Sequence, residues 1–362
     1  MRVADLVGAM EDIAPTRFAA RWDNVGLLVG DAEQAVTGVL LTIDCTRAVL
    51  REAEAAGCQA VVSYHPPLFE AQKRFVAGSL AFEAARVGVA VFSPHTALDV
   101  AEGGTNDVLA DATGMTDRRP LRAVDGHDGE LKLLTFLPAP HVEAVAGALF
   151  AAGAGHIGQY TSCSFRTAGT GTFFGGEGTR PVLGEAGRLE EVAEVRLETV
   201  LPVSRVEAVV QALRAAHPYE EPAFDLVRLA APPPARGFGR VGTVARVPAE
   251  ALVERVKAAL GVQHALVAGP SRREVSRVAV CAGSGAELLG DALAAGAELF
   301  VTGELRHHDA LRAVEAGMTV MCTLHSTSER ATLLALQRQL TLRLAGVTIT
   351  RSQEDREPFR FA

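Results

Sequence analysis

Apolar positions in the first third of the chain come in short unbroken blocks rather than in strict alternation. Val39-Leu40-Leu41-Thr42-Ile43-Asp44 is one such block and predicts a buried strand. Helical spacing follows over 46–56, with Thr46 placed to cap its start and Gly57 to end it. A second block, Ala60-Val61-Val62-Ser63, runs directly into Tyr64-His65-Pro66-Pro67. A helix near 80–86 leads to the block Val89-Ala90-Val91-Phe92 and then to Ser93-Pro94-His95. Apolar strands alternating with helices predict α/β layering around a largely parallel sheet.

The last third repeats this scheme. Val278-Ala279-Val280-Cys281 reads as a strand, the turn Ala282-Gly283-Ser284-Gly285 follows, and a helix over about 286–295 ends at Gly296. Leu299-Phe300-Val301 then feeds Thr302-Gly303-Glu304, and Val320-Met321-Cys322 feeds Thr323-Leu324-His325. Spacings match as well: Gly57 to His65 and Gly296 to Glu304 both span eight residues. His95 is followed four residues on by Asp99, and His325 four residues on by Glu329. These matches predict two related α/β halves, each ending strands in ligand-capable side chains.

The middle third carries a different repeat. Leu133-Leu134-Thr135-Phe136-Leu137-Pro138 with Val142-Glu143-Ala144-Val145 recurs 64 residues later as Leu197-Glu198-Thr199-Val200-Leu201-Pro202 with Val206-Glu207-Ala208-Val209. Each copy reads as strand, proline turn and amphipathic helix, which predicts a ferredoxin-like α+β domain. The glycine-rich stretch 169–187 reads as an extended loop or hairpin, and 125–129 and 230–234 read as linkers. The expected organisation is therefore one discontinuous α/β domain, 1–127 with 232–362, interrupted by an insert over 128–231.

Composition narrows the function classes. A 362-residue chain that is 48% hydrophobic and 22% charged is globular, which excludes disordered and fibrous classes. Its 35 Lys and Arg against 43 Asp and Glu leave a net charge of −8, which disfavours nucleic acid and anionic membrane as partners. The five cysteines are odd in number and form no Cys-x-x-Cys pair, arguing against a disulfide framework or a thiolate zinc site and for a reducing compartment. Acids stand in the first residues where a signal peptide is basic, and no uncharged apolar stretch approaches 18 residues. A cytoplasmic protein without a membrane span is expected.

Candidate chemistry sits where strands end. His65, the His95/Asp99 pair and the His325/Glu329 pair all follow predicted strands, and the carboxyl ends of parallel strands converge on one crevice. Imidazoles and carboxylates with no thiolate suit zinc, manganese, iron, nickel or magnesium. Two such ions, one carboxylate bridging them, would activate water and neutralise substrate charge. His307 and His308 read either as exposed imidazoles on a surface helix or as groups near the metals that support the ligands or touch substrate. Trp22-Asp23-Asn24-Val25-Gly26 reads first as a structural turn with a buried indole, with Asp23 and Asn24 free to line the crevice. Gly283-Ser284-Gly285 reads as a tight turn more than as a phosphate cradle, because the P-loop and dinucleotide signatures are missing. His217-Pro218-Tyr219-Glu220-Glu221-Pro222 reads as a structural loop at a subunit contact, more than as a ligand loop.

Taken together, these motifs resemble the Nif-three-like family (NGG-one-interacting-factor-three-like), also described as GTP cyclohydrolase one type two homologues. The resemblance rests on Trp22-Asp23-Asn24-Val25-Gly26-Leu27, Ser63-Tyr64-His65-Pro66-Pro67-Leu68-Phe69, His95-Thr96-Ala97-Leu98-Asp99 and Gly104-Thr105-Asn106-Asp107. Thr302-Gly303-Glu304, His307-His308-Asp309 and His325-Ser326-Thr327-Ser328-Glu329-Arg330 extend it through the last third, and the middle third resembles the CutA/PII-like module of longer members. The resemblance implies a toroidal homohexamer with two divalent ions per subunit, held by His65, Asp99, His325 and Glu329. Tyr64 stands where the family commonly has the first of two histidines, and His95 is the nearest residue to compensate. The implied activity is hydrolysis of a nucleotide or related heterocycle, of the GTP ring-opening kind, on a small anionic ligand. The alternative is a non-catalytic metal-binding scaffold or regulatory partner whose insert senses a ligand.

Overall fold

The structure, a computed structural model, describes residues 1–124, 129–179, 181–229 and 235–360. The chain divides into two compact units, one formed by 1–124 with 234–362 and the other by 125–233. Most of the two expected linkers, and His127 with them, fall outside the described residues.

In chain order the first unit begins with α1 (Val3–Ile13), β1 (Gly26–Val29), β2 (Gly38–Thr42), α2 (Arg47–Ala55), β3 (Ala60–Ser63), α3 (Leu80–Arg86) and β4 (Ala90–Ser93). Next come α4 (His95–Val100), α5 (Thr105–Thr113) and β5 (Thr116–Ala123). The second unit holds β6 (Glu130–Leu137), α6 (Val142–Ala151), β7 (Ser164–Phe174), β8 (Leu189–Pro202), α7 (Val206–Ala216) and β9 (Phe224–Arg228). The first unit resumes with β10 (Gly237–Pro248), α8 (Ala249–Leu260), β11 (Leu266–Ala268), β12 (Glu274–Ser284), α9 (Leu289–Ala294) and β13 (Leu299–Glu304). It ends with α10 (His307–Glu315), β14 (Thr319–Cys322), α11 (His325–Arg330), α12 (Thr332–Arg343) and β15 (Thr348–Arg351).

Two sheets make up the first unit, in the orders β1-β4-β3-β2-β15 and β11-β14-β13-β12-β10-β5. β2, β3 and β4 run parallel, as do β12, β13 and β14. In both sheets the short strand preceding the set lies antiparallel on the outer side of its last member, β1 on β4 and β11 on β14. The same four-strand arrangement thus occurs twice, as the spacing of the motifs suggests. The sheets differ at their other edge. C-terminal β15 returns to lie parallel to β2, whereas β5 and β10 extend the second sheet with antiparallel pairs.

Helices cover both faces of each sheet, which is why the strands read as unbroken apolar runs. In the first sheet Val39, Leu41, Val62 and Phe92 face Leu6 and Met10 of α1 and Leu336 and Leu340 of α12. Leu40, Val61 and Val91 face Val49, Leu50 and Ala53 of α2 on the other side. The second sheet repeats this: Val278, Val280 and Leu299 pack on Leu109 of α5 and Leu252 of α8, while Ala279 and Phe300 pack on Leu289, Ala292 and Ala313. Thr46 caps α2 as expected, its side chain accepting from the Val49 amide at 3.3 Å, and Gly57 follows in the left-handed region that a Cβ disfavours. Arg240 on β10 lies wholly inside. It donates to both carboxylate oxygens of Asp107 at 2.9 and 3.0 Å, and to the carbonyls of Ala101, Gly237 and Gly239 at 3.0, 2.6 and 2.8 Å.

In the second unit a four-stranded antiparallel sheet has the order β7-β8-β6-β9. The repeat of 64 residues is visible in its core: Leu133, Leu137, Val145 and Leu149 are buried, and so are Leu197, Leu201, Val209 and Leu213. The glycine-rich stretch is partly hairpin, with β7 pairing along β8 from Ser164 opposite Thr199 to Phe174 opposite Leu189. His217 is structural within this unit. Its Nε2 donates to the Phe136 carbonyl at 3.1 Å, and its Nδ1 accepts from the Tyr219 amide at 3.1 Å.

Candidate metal centre

His65 follows β3, and its peptide nitrogen donates to the Ile43 carbonyl at 2.9 Å, which fixes the strand end from which the imidazole projects. His325 opens α11 and Glu329 stands one turn on, so both side chains share a helix face. One donor atom from each of His65, His325 and Glu329 lies within 4.8 Å of the others. The Glu329 carboxylate is the centre. Its Oε2 is 3.3 Å from His65 Nε2 and its Oε1 is 3.2 Å from His325 Nε2.

The far nitrogens of both imidazoles are tied to further carboxylates. His65 Nδ1 lies 2.9 Å from Asp44, just beyond β2, and His325 Nδ1 lies 3.1 Å from Glu304, at the end of β13. Such pairing sets the tautomer and leaves Nε2 facing inward, an arrangement that metal-binding histidines share. Asp44 does not stand out as a ligand in the sequence, and Glu304 does so only as the counterpart of His65 in the repeat. Their position at the end of an apolar block, one strand over from a motif histidine, is the signal that singles them out.

Electrostatics follow from this geometry. Burial disfavours the charged form of His65, but its hydrogen bond to Asp44 and the neighbouring Glu329 carboxylate outweigh it and raise its pKa to about 10. His325 is raised to about 9, chiefly by its hydrogen bond to Glu329. Burial pushes the Glu329 carboxyl up, yet the two imidazoles hold it below the usual range.

Three observations bear on whether these residues suit a cation. Glu329 is 3% exposed, and its Oε2 approaches His65 without a hydrogen bond of proper geometry, so a buried carboxylate oxygen remains open to a further partner. A Cβ on Gly283 would fall 2.7 Å from Glu329 Oε1 and 3.3 Å from His325 Nε2, so a larger residue would intrude on the donors. Two imidazoles and a carboxylate, without thiolate, form a borderline-hard set that suits divalent ions. The residues fit a divalent cation. Gly283 accordingly does more than turn the chain, and its amide donates to Ser328 Oγ at 2.8 Å.

Other sequence candidates stand around this group without joining it. Asp99 on α4 is half-buried and accepts a hydrogen bond from the Tyr64 hydroxyl. Burial raises its pKa to about 6, with the nearby Glu329 charge adding to the rise and the Tyr64 hydrogen bond opposing it. Tyr64 is itself buried, and burial together with the Asp99 and Glu329 charges pushes its phenol well above 10. His95 turns its Nδ1 to Asp23 at 2.8 Å, while its ring centre lies 5.3 Å from that of His65. His307 and His308 are exposed at the start of α10, their ring centres 5.3 Å apart. Among the described residues, no hydrogen bond or ion pair ties either to the cluster.

The expected buried indole is corrected. Trp22 is 59% exposed, and the residue that turns inward is its neighbour Asp23, whose carboxylate is taken up by His95 and Thr96. A buried polar side chain with partners anchors this turn, so the indole is left outside. All five cysteines are free. No helix among the described residues is long and apolar enough to cross a membrane.

The family model described as Duf34/NIF3 (NGG1p interacting factor 3) matches residues 1–358. A Mycobacterium tuberculosis protein named GTP cyclohydrolase 1 type 2 homolog is 41% identical over 320 residues, covering 86% of this chain and 83% of the relative. A Bacillus subtilis protein of the same name is 35% identical over 365 residues, covering 98% and 97%. Among solved structures, a Bacillus cereus protein related to NIF3 superposes with a TM-score of 0.73 at 33% identity, covering 100% of this chain and 99% of the other.

Proposed function

The chain belongs to the Duf34/NIF3 family, and from that premise we propose that it is a divalent-metal-dependent hydrolase acting on a nucleotide or related heterocycle. The observation that carries this reading is the approach of His65 and His325 to the two oxygens of the buried Glu329 carboxylate, of which Oε2 is left without a hydrogen bond. We assign these three, with Asp99, as the residues that would hold two divalent ions per subunit, with Glu329 the side chain that could serve both. Zinc, manganese, iron, nickel or magnesium would supply Lewis acidity and counter-charge for an anionic substrate.

The chain's own groups have separate tasks in this reading. Asp44 and Glu304 fix the two imidazoles, so that Nε2 of each faces the centre. Tyr64 keeps its proton and donates it to Asp99, which orients that carboxylate; its phenol serves as a positioning group. His95 stands beside His65 as a reserve donor, and the exposed His307 and His308 are the candidates to deliver a proton to a leaving group. Residues 128–231 form the ferredoxin-like, CutA/PII-like insert of a discontinuous domain, 1–127 with 232–362. The assembly is a toroidal homohexamer in the cytoplasm.

A cavity in the second unit favours a second reading, a metal-binding scaffold whose insert senses a ligand. It is an open cleft of about 320 Å³ between residues that include Phe136, Phe173, Phe174, Glu194 and Tyr219. Elemental analysis of the native protein, with turnover of GTP and a nucleotide and phosphoester panel, separates the two. The hydrolase reading expects bound metal and a turnover that Glu329→Gln abolishes. Metal-loaded protein that turns over no panel member above the Glu329→Gln control would leave the scaffold reading in its place.

A further inference from the structure

Trp22 and Phe69 are large aromatic side chains that the metal reading leaves without a task. They are 59% and 53% exposed, their ring centres lie 5.9 Å apart and their planes are inclined at 53°. Folding normally hides such surface, and exposed aromatic pairs of this kind mark places where another molecule binds.

The backbone that carries them is held by polar anchors. Asp23, next to Trp22, has its side chain fully buried and accepts from His95 Nδ1 at 2.8 Å and from the Thr96 amide at 3.1 Å. The Ala20 amide donates to Thr96 Oγ1 at 3.0 Å on the other side of the indole. Asn24 donates its side-chain amide to the Leu68 carbonyl at 2.5 Å, which joins the Trp22 turn to the loop that carries Phe69. Each anchor fixes a residue beside an aromatic group and leaves the ring itself outside.

From there the rings run in file to the triad. The indole meets His95 edge-on with centres 6.1 Å apart, His95 lies 5.3 Å from His65, and His65 lies 5.4 Å from His325. A flat molecule resting on the indole would lie at the outer end of this row of imidazoles. Aromatic faces stack on any heteroaromatic base with little regard for its identity, which suits a platform that holds while neighbouring groups discriminate.

We propose that Trp22 and Phe69 are substrate-binding residues on which a planar heteroaromatic ring stacks, flat against the indole with Phe69 at its flank. The proposal rests on the hydrolase reading only for the chemistry that follows binding, because stacking requires no cation. It assigns to the Trp22 turn the recognition of the ring, and leaves charge on the ligand to the metal centre.

Trp22 is the chain's single tryptophan, so its emission reports on this surface alone. Full-length protein, both metal-loaded and chelator-treated, is titrated with GTP, ATP, guanosine, cytidine and inorganic triphosphate, with excitation at the red edge of indole absorption. Saturable quenching by at least one base-containing ligand and none by triphosphate is the expected result. By calorimetry, Trp22→Ala should weaken binding of that ligand about 10-fold and Trp22→Phe should restore most of it, with metal content unchanged in both. Absence of quenching by every base-containing ligand, with metal content intact, overturns the proposal and leaves the hydrolase reading standing. Quenching that persists in a protein binding no metal supports the proposal while removing that reading. Equal quenching by triphosphate, or emission that changes with protein concentration before any ligand is added, also overturns it: the contact is then with phosphate, or with a second copy of the chain.

Discussion

β1-β4-β3-β2 and β11-β14-β13-β12 are the same strand arrangement built twice, and in each a histidine opens the helix after the third parallel strand with a carboxylate four residues on. Backbone at the two turns enters the left-handed region one residue apart: at His95 itself, with φ +27°, in the first half, and at Leu324, just before His325, with φ +77°, in the second. The side chains then diverge. His325 and Glu329 point to each other and to His65, whereas His95 is taken by Asp23 and Asp99 by Tyr64. Two local differences account for this. Glu329 is one methylene longer than Asp99 and reaches two imidazoles, and the first half has an N-terminal segment whose Asp23 occupies the histidine. A repeated scaffold has kept its turns and divided their chemistry.

Substitution at the matched histidines tests that division most strongly. His325→Ala should lose at least one metal equivalent by elemental analysis while keeping its circular dichroism spectrum, and His95→Ala should retain that equivalent. Equal loss from both would make the halves functionally equivalent and break the comparison. The buried Arg240–Asp107 pair is the next largest expected effect. Arg240→Met strands a buried Asp107 carboxylate and should cost about 3–5 kcal/mol in denaturant unfolding.

Asp107 also supplies a pH dependence. Burial opposes its charge, but Arg240 holds the carboxyl below the usual carboxylate range. A depressed folded pKa contributes stability above the unfolded value, near 3.9, and that contribution disappears as pH falls through the folded value. Wild-type Tm should therefore fall between about pH 5 and 2, and this part of the slope should be absent in Arg240→Met. An unchanged slope would show that other carboxylates set the acid limit.

Smaller effects sharpen the contrast. Asp44→Asn should weaken metal binding about 10–100-fold by releasing the His65 ring, and Glu304→Gln should do the same through His325. If only one of the two matters, one half dominates the centre. Thr46→Ala should cost about 1 kcal/mol, because α2 in the first half depends on that cap, while α9 in the second has no side-chain cap to lose.

Much of this was legible in the chain. Unbroken apolar runs such as Val39-Leu40-Leu41 and Val278-Ala279-Val280 specify strands covered on both faces, and all six of these residues are buried between helices. The 64-residue repeat specifies a second core in which equivalent leucines and valines are buried alike. His65, His325 and Glu329 were identifiable because each follows a parallel strand, although the strands belong to two sheets and not to the single sheet edge that the sequence suggests. Trp22 was misread because burial of an indole is the usual outcome, and nothing local reveals that Asp23 has buried partners 72 and 73 residues away.

Spacing and periodicity therefore determined the element types, the duplicated halves and the side chains able to bind a cation, since these depend on near neighbours in the chain. Only the tertiary structure decided that β15 closes the first sheet while β5 extends the second, because edge pairing is chosen among many equivalent backbone partners. It likewise decided which histidine meets Glu329 and which is held by Asp23. Those choices turn on reach and on competing partners far apart in sequence, and hydrogen bonds between distant segments have no period to read.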